Sequence, residues 1–173
     1  MIKIRRLRKS DWKGFLSNEL SYYEELRKNP RFGTGSYNQK VTNDSLRERF
    51  LEMTKEIAKG KEIVLIAEDD GQMIGMCSAK GPSIFEGPHT ADIGFSIIKS
   101  RRGEGVGSML VKEMLKLCRK KYEIVTAGYF SNNLASKALL KKFGFKRWAH
   151  GPGFAKRGRV YMDIDQVYLR LHD

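Results

Sequence analysis

The sequence predicts a mixed α/β domain whose central sheet is mostly antiparallel and flanked by helices. The chain has 173 residues, 40% of them hydrophobic, which suffices for one domain with a buried core. Stretches with the two-residue period of a strand alternate with stretches that have the period of a helix. Their order is β-α-α-β-β-β-α-β-α-β-β, with a hairpin early and a βαβ unit late. We expect a single domain over residues 1–173, because no linker, repeat or low-complexity segment interrupts this order.

The first half of the chain carries one strand and two helices. The strand covers Met1–Leu7, where isoleucines alternate with basic residues. A helix follows with Ser10 as its N-cap, and it ends before Pro30. Residues 31–40 are rich in glycine and polar residues, so we expect a loop that is long enough to be functional. A second helix runs from about Asn43 to Lys59 and ends at a glycine.

The second half carries most of the strands. An Asp-Gly turn joins two β-rich runs into a hairpin, and a glycine after the last helix suits a left-handed C-terminal position. The predicted elements are strands at 62–68, 73–79 and 91–98, a helix at 108–121, a strand at 123–129, a helix from Asn132 or Asn133 to Phe143, and strands at 145–149 and 159–171.

The charge balance is strongly basic. Lysine and arginine total 33 against 20 acidic residues, which gives a net charge of +13. This excess fits an anionic ligand, a nucleic acid, an acidic surface or simply a soluble basic protein. It describes partners rather than the fold.

Several classes of protein are excluded by composition. No apolar run approaches the roughly 20 residues of a membrane helix, and the N-terminus has no secretory signal. Cys77 and Cys118 lie in apolar surroundings, so we expect a buried, reduced pair in a cytoplasmic protein. The three histidines, at 89, 150 and 172, lack ligand spacing, so we expect no metal site. Because no apolar run is long enough to span a bilayer, we also expect no membrane association.

The most informative segment is 91–110, where a strand enters a glycine-rich turn that opens into a helix. Glycines allow close approach of the backbone, and the free N–H groups at a helix start attract phosphate. A Walker A loop is excluded because no lysine follows the last glycine, and the spacing is poor for a dinucleotide fingerprint. An Arg-x-x-Gly-x-Gly loop, from Arg102 to Gly107, fits, and a glycine turn without ligand is the alternative.

Residues 91–110 resemble the coenzyme A loop of the GNAT superfamily of N-acetyltransferases. Residues 133–145, an Asn-led helix that ends in Gly-Phe, resemble a second block of that family, as does the element order. The resemblance implies a GNAT-like fold and acetyl-coenzyme A as co-substrate. It implies that the strand edge pairs with the pantetheine arm, that backbone amides of the loop hold the pyrophosphate, and that an asparagine binds the arm. The residues so implied are Ile97, Ile98, Arg102, Gly103, Gly105, Val106, Gly107, Ser108 and Asn133. Helix capping is the alternative for the asparagine.

The resemblance also suggests catalytic groups. Asp92 matches a common acidic position of the family and is the candidate that deprotonates the amine through water; a solvated edge charge is the alternative. Glu86 and His89 are second candidates. The family's usual acid is a Tyr, and Leu140 stands in its place. Tyr129 and Tyr161 are therefore the candidates for protonating the thiolate, with core packing as the alternative. The N–H group at about Ile97 would stabilise the oxyanion.

The implied activity is transfer of an acetyl group to a primary amine by direct attack in a ternary complex. The acceptor is a small molecule, a peptide N-terminus or a lysine, and the first helices with the 31–40 loop would line its cleft. Residues 22–25, Tyr-Tyr-Glu-Glu, could meet a cationic amine there or form a solvated helix face. The alternative function is a non-catalytic, basic, nucleic-acid-binding module, motivated by the charge and by Lys156–Arg159, although no nucleic-acid motif accompanies them. The sequence allows a homodimer without requiring one.

Overall fold

The computed structural model describes residues 1–33, 41–81 and 87–172. Seven strands and four α-helices follow the order expected from the sequence. The strands are β1 (Lys3–Arg6), β2 (Glu62–Asp69), β3 (Gln72–Lys80), β4 (Thr90–Ile97), β5 (Ile124–Phe130), β6 (Lys146–Arg157) and β7 (Val160–Arg170). The helices are α1 (Trp12–Lys28), α2 (Asn43–Ala58), α3 (Val106–Cys118) and α4 (Leu134–Lys142), with short 3-10 turns at Lys9–Asp11 and Lys99–Arg101.

All seven strands form one sheet in the order β1-β2-β3-β4-β5-β7-β6. Every neighbouring pair is antiparallel except β4 and β5, which are joined through α3 and run parallel. These two strands pair only from Thr90 opposite Ile124 to Asp92 opposite Thr126. Beyond that point they separate, although both strands continue. The mixed, mostly antiparallel fold predicted from the sequence is confirmed, and the separation creates the opening that holds the candidate site.

Helices cover both faces of the sheet. On one face α3 and α4 bury the larger core, in which Leu110, Met114 and Leu140 are almost fully inaccessible. On the other face α1 and α2 pack through Phe15 and Phe50, whose ring centroids lie 5.0 Å apart. Burial of this apolar surface drives folding. The same packing holds β4 between the two helical layers. The C-terminal end of β4 therefore lies at the opening between β4 and β5.

The start of the first helix differs from the prediction. Ser10 does not cap α1, because a 3-10 turn at Lys9–Asp11 precedes the helix. Asp11 stands at the helix start instead. Its carboxylate accepts the backbone N–H of Arg8 at 2.7 Å and two hydrogen bonds from the Arg5 guanidinium at 2.8 Å. An ion pair with Arg5, six residues earlier, thus holds the carboxylate of Asp11 at the helix start.

The sixth strand is much longer than the predicted 145–149. It runs to Arg157 across Gly151, Pro152 and Gly153. Because β6 is an edge strand, proline breaks no ladder on its open side, and a bulge between Gly151 and Ala155 accommodates the irregularity. These residues interrupt the alternating pattern in the sequence without ending the strand.

Both cysteines lie in the core. Cys77 and Cys118 are buried and form no disulfide, as the composition predicted. Burial raises the pKa of the Cys118 thiol to about 11, so the thiol stays protonated and inert at neutral pH. In the described part of the chain, no helix is both long and apolar enough to cross a membrane.

Candidate functional site

A groove of about 860 Å³ opens where β4 and β5 separate. One wall is the far half of β4, the other is the end of β5 with the start of α4, and the glycine loop before α3 closes one end. Residues of the segment that follows α1, among them Phe32 and Gly33, also line it. The volume falls in the range of small-molecule and cofactor sites.

The glycine loop is shaped for backbone contacts with an anion. Gly103 and Gly105 have φ values of 83° and 82°, the left-handed region that glycine enters without strain. Gly105 precedes α3, and its carbonyl accepts the N–H of Met109 at 3.1 Å. The N–H groups of the residues just before Met109 have no carbonyl one turn earlier to receive them. They face outward at the positive end of the helix, where a phosphate group binds favourably.

The β4 edge also offers backbone groups to the groove. The Ile98 N–H donates to the Ile74 carbonyl on β3 at 3.1 Å. Because backbone direction alternates along a strand, Ile93, Phe95 and Ile97 turn their N–H and C=O groups the other way, toward the gap left by β5. An extended ligand can pair with this edge as a strand would.

The backbone groups of Ile98, which was predicted to contact the pantetheine arm, already have partners within the protein. Its N–H is bonded to β3, and its carbonyl accepts the N–H of Arg101 at 3.1 Å. Both backbone groups are therefore satisfied inside the protein. Ile97 lines the groove as predicted, and its carbonyl accepts the Nε–H of Arg102 at 3.0 Å, which leaves its N–H as the group directed at the opening.

The side chain of Arg102 has its hydrogen-bond partners within the protein. Its two terminal nitrogens donate to the two carboxylate oxygens of Glu25 on α1, each at 2.7 Å. The guanidinium lies 4.7 Å from the ring centroid of Phe32, and the backbone N–H bonds to Lys99 at 3.4 Å. The guanidinium therefore has partners within the protein, and the cofactor contact implied for Arg102 stays a prediction.

The two ends of α4 each supply a further group. Asn133 caps the helix, since its side-chain oxygen accepts the Ser136 N–H at 3.0 Å, and it lines the groove as well. Lys142 also lines the groove, with its Nζ 3.4 Å from the Ser108 hydroxyl. The sequence analysis missed Lys142. Its signal was the helix period, since it falls seven residues after Ala135, on the same face of α4.

The two tyrosine candidates are placed very differently. Tyr129 lines the groove on β5, is 5% exposed and belongs to the same core cluster as Leu140. Burial and, to a smaller extent, the nearby negative charge of Asp165 raise its pKa, so its hydroxyl remains a proton donor. Tyr161 lies on β7, is 58% exposed and carries Lys156 Nζ 5.1 Å from its ring. Tyr161 is not among the residues that line the groove.

Asp92 lies outside the groove wall. It sits where β4 and β5 last pair, and its carboxylate accepts the Thr126 hydroxyl at 2.7 Å. Its side chain is exposed at the sheet surface, yet enough protein surrounds the carboxyl for desolvation to raise the pKa, against the Thr126 hydrogen bond, which lowers it. At about 3.3 Å per residue, Ser96 is about 13 Å farther along the strand. Any action of Asp92 on the site must therefore pass through water.

The segment that follows α1 is held in place by an arginine from β6. Arg157 on β6 is 5% exposed and donates to the carbonyls of Pro30, Phe32 and Gly33 at 2.8, 2.6 and 2.9 Å. Its guanidinium also stacks 4.8 Å from the Phe130 ring centroid. Within the basic run at 156–159, Arg157 is therefore buried and bonded to this segment, while Lys156 and Arg159 are exposed.

The remaining candidates do not converge on the groove. Within residues 22–25, Tyr22 lines it and Tyr23 is buried in the core, while Glu24 pairs with Lys28 and Glu25 with Arg102. His89 lies before β4, away from the groove lining. Glu86 and residues 34–40 lie outside the described residues.

Comparison with known proteins agrees with this geometry. Residues 19–145 match the model of the Acetyltransferase (GNAT) family. The L-amino acid N-acetyltransferase AaaT of Escherichia coli is 27% identical over 101 residues, which are 57% of this chain and 62% of AaaT. YwnH of Bacillus subtilis, described as a phosphinothricin acetyltransferase, is 35% identical over 76 residues, 43% of this chain and 47% of YwnH. The chain thus matches less than two thirds of the length of these curated relatives.

Solved structures show the same fold. The structure of yncA from Salmonella typhimurium with its cofactor acetyl-CoA superposes with a TM-score of 0.82 at 22% identity, over 99% of this chain and 95% of that chain. Since the family model covers well over half of the sequence, the chain belongs to the GNAT family of acetyltransferases.

Proposed function

We propose that the protein is an N-acetyltransferase that moves the acetyl group of acetyl-coenzyme A to a primary amine. The observation that carries this proposal is the cradle of free N–H groups at Gly103–Ser108, placed at the end of a groove that an open strand edge lines. This is the arrangement that a pyrophosphate joined to an extended amide-containing arm requires.

The residues fit acetyl-coenzyme A along the groove. The backbone amides from Gly103 to Ser108 hold the pyrophosphate, and Lys142 adds a cation beside them. The β4 edge pairs with the amides of the pantetheine arm through backbone groups other than the Ile97 N–H, and Asn133 faces the same arm. The bound thioester supplies an activated acetyl group.

The reaction forms a C–N bond and breaks the C–S bond. The amine loses one proton, and the departing thiolate gains one. In our proposal the Ile97 N–H donates to the oxyanion, since it is directed at the opening. Tyr129 protonates the thiolate in place of the tyrosine that Leu140 replaces, because it is the tyrosine in the groove wall on β5. Asp92 receives the amine proton through water.

We propose a small molecule as the acceptor, with L-amino acids as the first class to test. The name of the Escherichia coli relative supports this class. The basic charge also supports it, since a carboxylate next to the amine would be attracted to a chain of net charge +13. A peptide N-terminus and a lysine are the other acceptors that the same assay should include.

Calorimetric titration with acetyl-coenzyme A is the first test. We expect micromolar binding that weakens when the 3′-phosphate or the pyrophosphate portion is removed from the ligand. Absence of binding at high micromolar ligand would contradict the proposal. A thiol-release assay with the L-amino acids, L-phosphinothricin and a short peptide then identifies the acceptor. The free, buried thiols support a reducing, cytoplasmic location, which fractionation of cells tests.

A further inference from the structure

A second, much smaller cavity lies beside the groove, between α1 and β4. Its volume of about 10 Å³ has room for one group of the size of water. Asn18 forms part of its wall and is only 3% exposed. The side-chain oxygen of Asn18 has no hydrogen-bond partner among the described residues. An unpaired buried oxygen costs about 1–3 kcal/mol. A bound ligand with an N–H or O–H group could supply the missing hydrogen bond to this oxygen.

Ser96 gives the cavity a second acceptor. Its hydroxyl oxygen receives the side-chain N–H of Asn18 at 3.5 Å, and a hydroxyl oxygen has a second lone pair for another donor. Ser96 and Ile97 line both the small cavity and the large groove. The cavity therefore adjoins the strand edge from which the Ile97 N–H faces the groove.

The charge of the cavity is balanced. Glu25 lies on its wall, but both oxygens of that carboxylate accept hydrogen bonds from Arg102 at 2.7 Å. The wall thus offers oxygen acceptors without an uncompensated negative charge. Such a wall favours a neutral N–H donor over a fixed cation, since a buried cation without a counter-charge would be strongly disfavoured.

We propose that this cavity receives the amino group of the acceptor and that Asn18 and Ser96 hold it by its two N–H bonds. The proposal rests on the acetyl transfer proposed above. A neutral primary amine has two N–H groups and one lone pair. When the N–H groups donate to Asn18 Oδ1 and Ser96 Oγ, the lone pair is left for attack from the direction of the groove. A cavity with room for one such group excludes an N-methylated amine, so Asn18 selects primary amines.

The test compares the L-amino acid of highest turnover with its N-methyl derivative, using thiol release. Asn18→Ala removes one acceptor and enlarges the cavity. We expect the KM for the amino acid to rise about tenfold, the worth of one buried hydrogen bond. The preference for the primary amine is the kcat/KM of the L-amino acid divided by that of its N-methyl derivative. We expect this ratio to fall by at least about tenfold. The Kd for acetyl-coenzyme A stays unchanged. A purely structural role would not change the preference between the two amines.

Two variants complete the comparison. Ser17→Ala changes the exposed neighbour of Asn18 on α1 and should leave both amines as in the parent protein. Ser96→Ala removes the second acceptor and should act in the same direction as Asn18→Ala, so it replaces that variant if the latter does not fold. Unchanged KM and unchanged amine preference in the folded variants would overturn the proposal.

A crystal structure with coenzyme A and the amino acid provides a direct reading. We expect the amine nitrogen within hydrogen-bond distance of Asn18 Oδ1. An ordered water that stays on this oxygen while the amine lies elsewhere would overturn the inference. Failure of the protein to bind acetyl-coenzyme A, or to acetylate any amine in the panel, would instead contradict the proposed function.

Discussion

Arg102 of the glycine loop and Glu25 of α1 form a planar pair, with two parallel hydrogen bonds of 2.7 Å between guanidinium and carboxylate. A third donor of the same arginine bonds the Ile97 carbonyl at 3.0 Å. Bidentate pairs of this kind are strong and geometrically specific. The pair joins the glycine loop at one end of the groove to α1.

The pair makes opposite predictions for two possible roles of Arg102. If it positions the loop, Glu25→Gln and Arg102→Gln should each weaken acetyl-coenzyme A binding by about three- to tenfold, with no further loss in the double variant. If Arg102 instead contacted phosphate, Glu25→Gln would free the cation and binding would hold or improve. Calorimetric Kd values for the four proteins separate the two cases. A loss confined to the Arg102 variant would refute the positioning role.

The left-handed glycines of the loop predict a loss of affinity on substitution. Alanine at Gly105 has no steric conflict nearby but must adopt φ near 82°, at a cost of about 1–2 kcal/mol. Since the strain is relieved by turning the loop amides, we expect the Kd for acetyl-coenzyme A to rise about tenfold.

Gly60 offers a matched control. Its φ is 71°, no atom would meet an added Cβ, and it lies between α2 and β2, outside the groove lining. Gly60→Ala should lower the free energy of unfolding by the same strain cost of about 1–2 kcal/mol. The Kd for acetyl-coenzyme A should stay unchanged. Equal Kd values in the two variants would argue against an amide cradle at residues 103–108.

The fold and the glycine loop could be predicted from the sequence, because the signals for both lie within short stretches of the chain. The hairpin turn, the helix periods and the Gly-x-Gly spacing each act over a few residues. The roles of Arg102 and Arg157 could not be read this way, since their partners lie 77 and about 125 residues away. Tyr161 and Tyr129 were equivalent candidates in the sequence, but Tyr129 is 5% exposed and lines the groove, whereas Tyr161 is 58% exposed and does not line it.

Arg157 predicts a link between β6 and acceptor binding. Arg157→Met keeps the aliphatic stem but leaves three carbonyls of residues 30–33 without their donor. We expect the free energy of unfolding to fall by about 3 kcal/mol and the acceptor KM to rise, because this segment lines the groove. The Kd for acetyl-coenzyme A should hold. Arg159→Met, at an exposed neighbour, is the control and should change neither quantity.

The ion pair between the buried Glu19 and the half-exposed Arg49 predicts a pH-dependent stability. Glu19 is 4% exposed, and burial raises its pKa although the Arg49 charge, at 2.6 Å, opposes this. A carboxyl with a raised pKa in the folded state binds protons more tightly there, so stability falls as pH rises from about 4.3 through that pKa.

Removing the arginine should enlarge that pH effect. Arg49→Met raises the pKa of Glu19 further, so we expect its destabilisation to grow between pH 4.5 and 8, reaching about 3 kcal/mol at the upper end. Glu19→Gln should remove the part of the pH dependence that Glu19 contributes. Denaturant unfolding at several pH values measures both, and a destabilisation by Arg49→Met that is the same at each pH would contradict the assignment.

The groove position of Tyr129 predicts that its hydroxyl serves the departing thiolate. Tyr129→Phe keeps the ring that packs in the core and removes only the proton donor. We expect kcat to fall about a hundredfold, while the KM for acetyl-coenzyme A holds. Because the pKa of Tyr129 is raised, the hydroxyl should stay protonated up to above pH 10. The kcat of the parent protein should therefore not decline as the pH rises toward 10. Tyr161→Phe, away from the groove, should retain the parent rate. Equal rates in both variants would show that the thiolate leaves without help from Tyr129 and takes its proton from water.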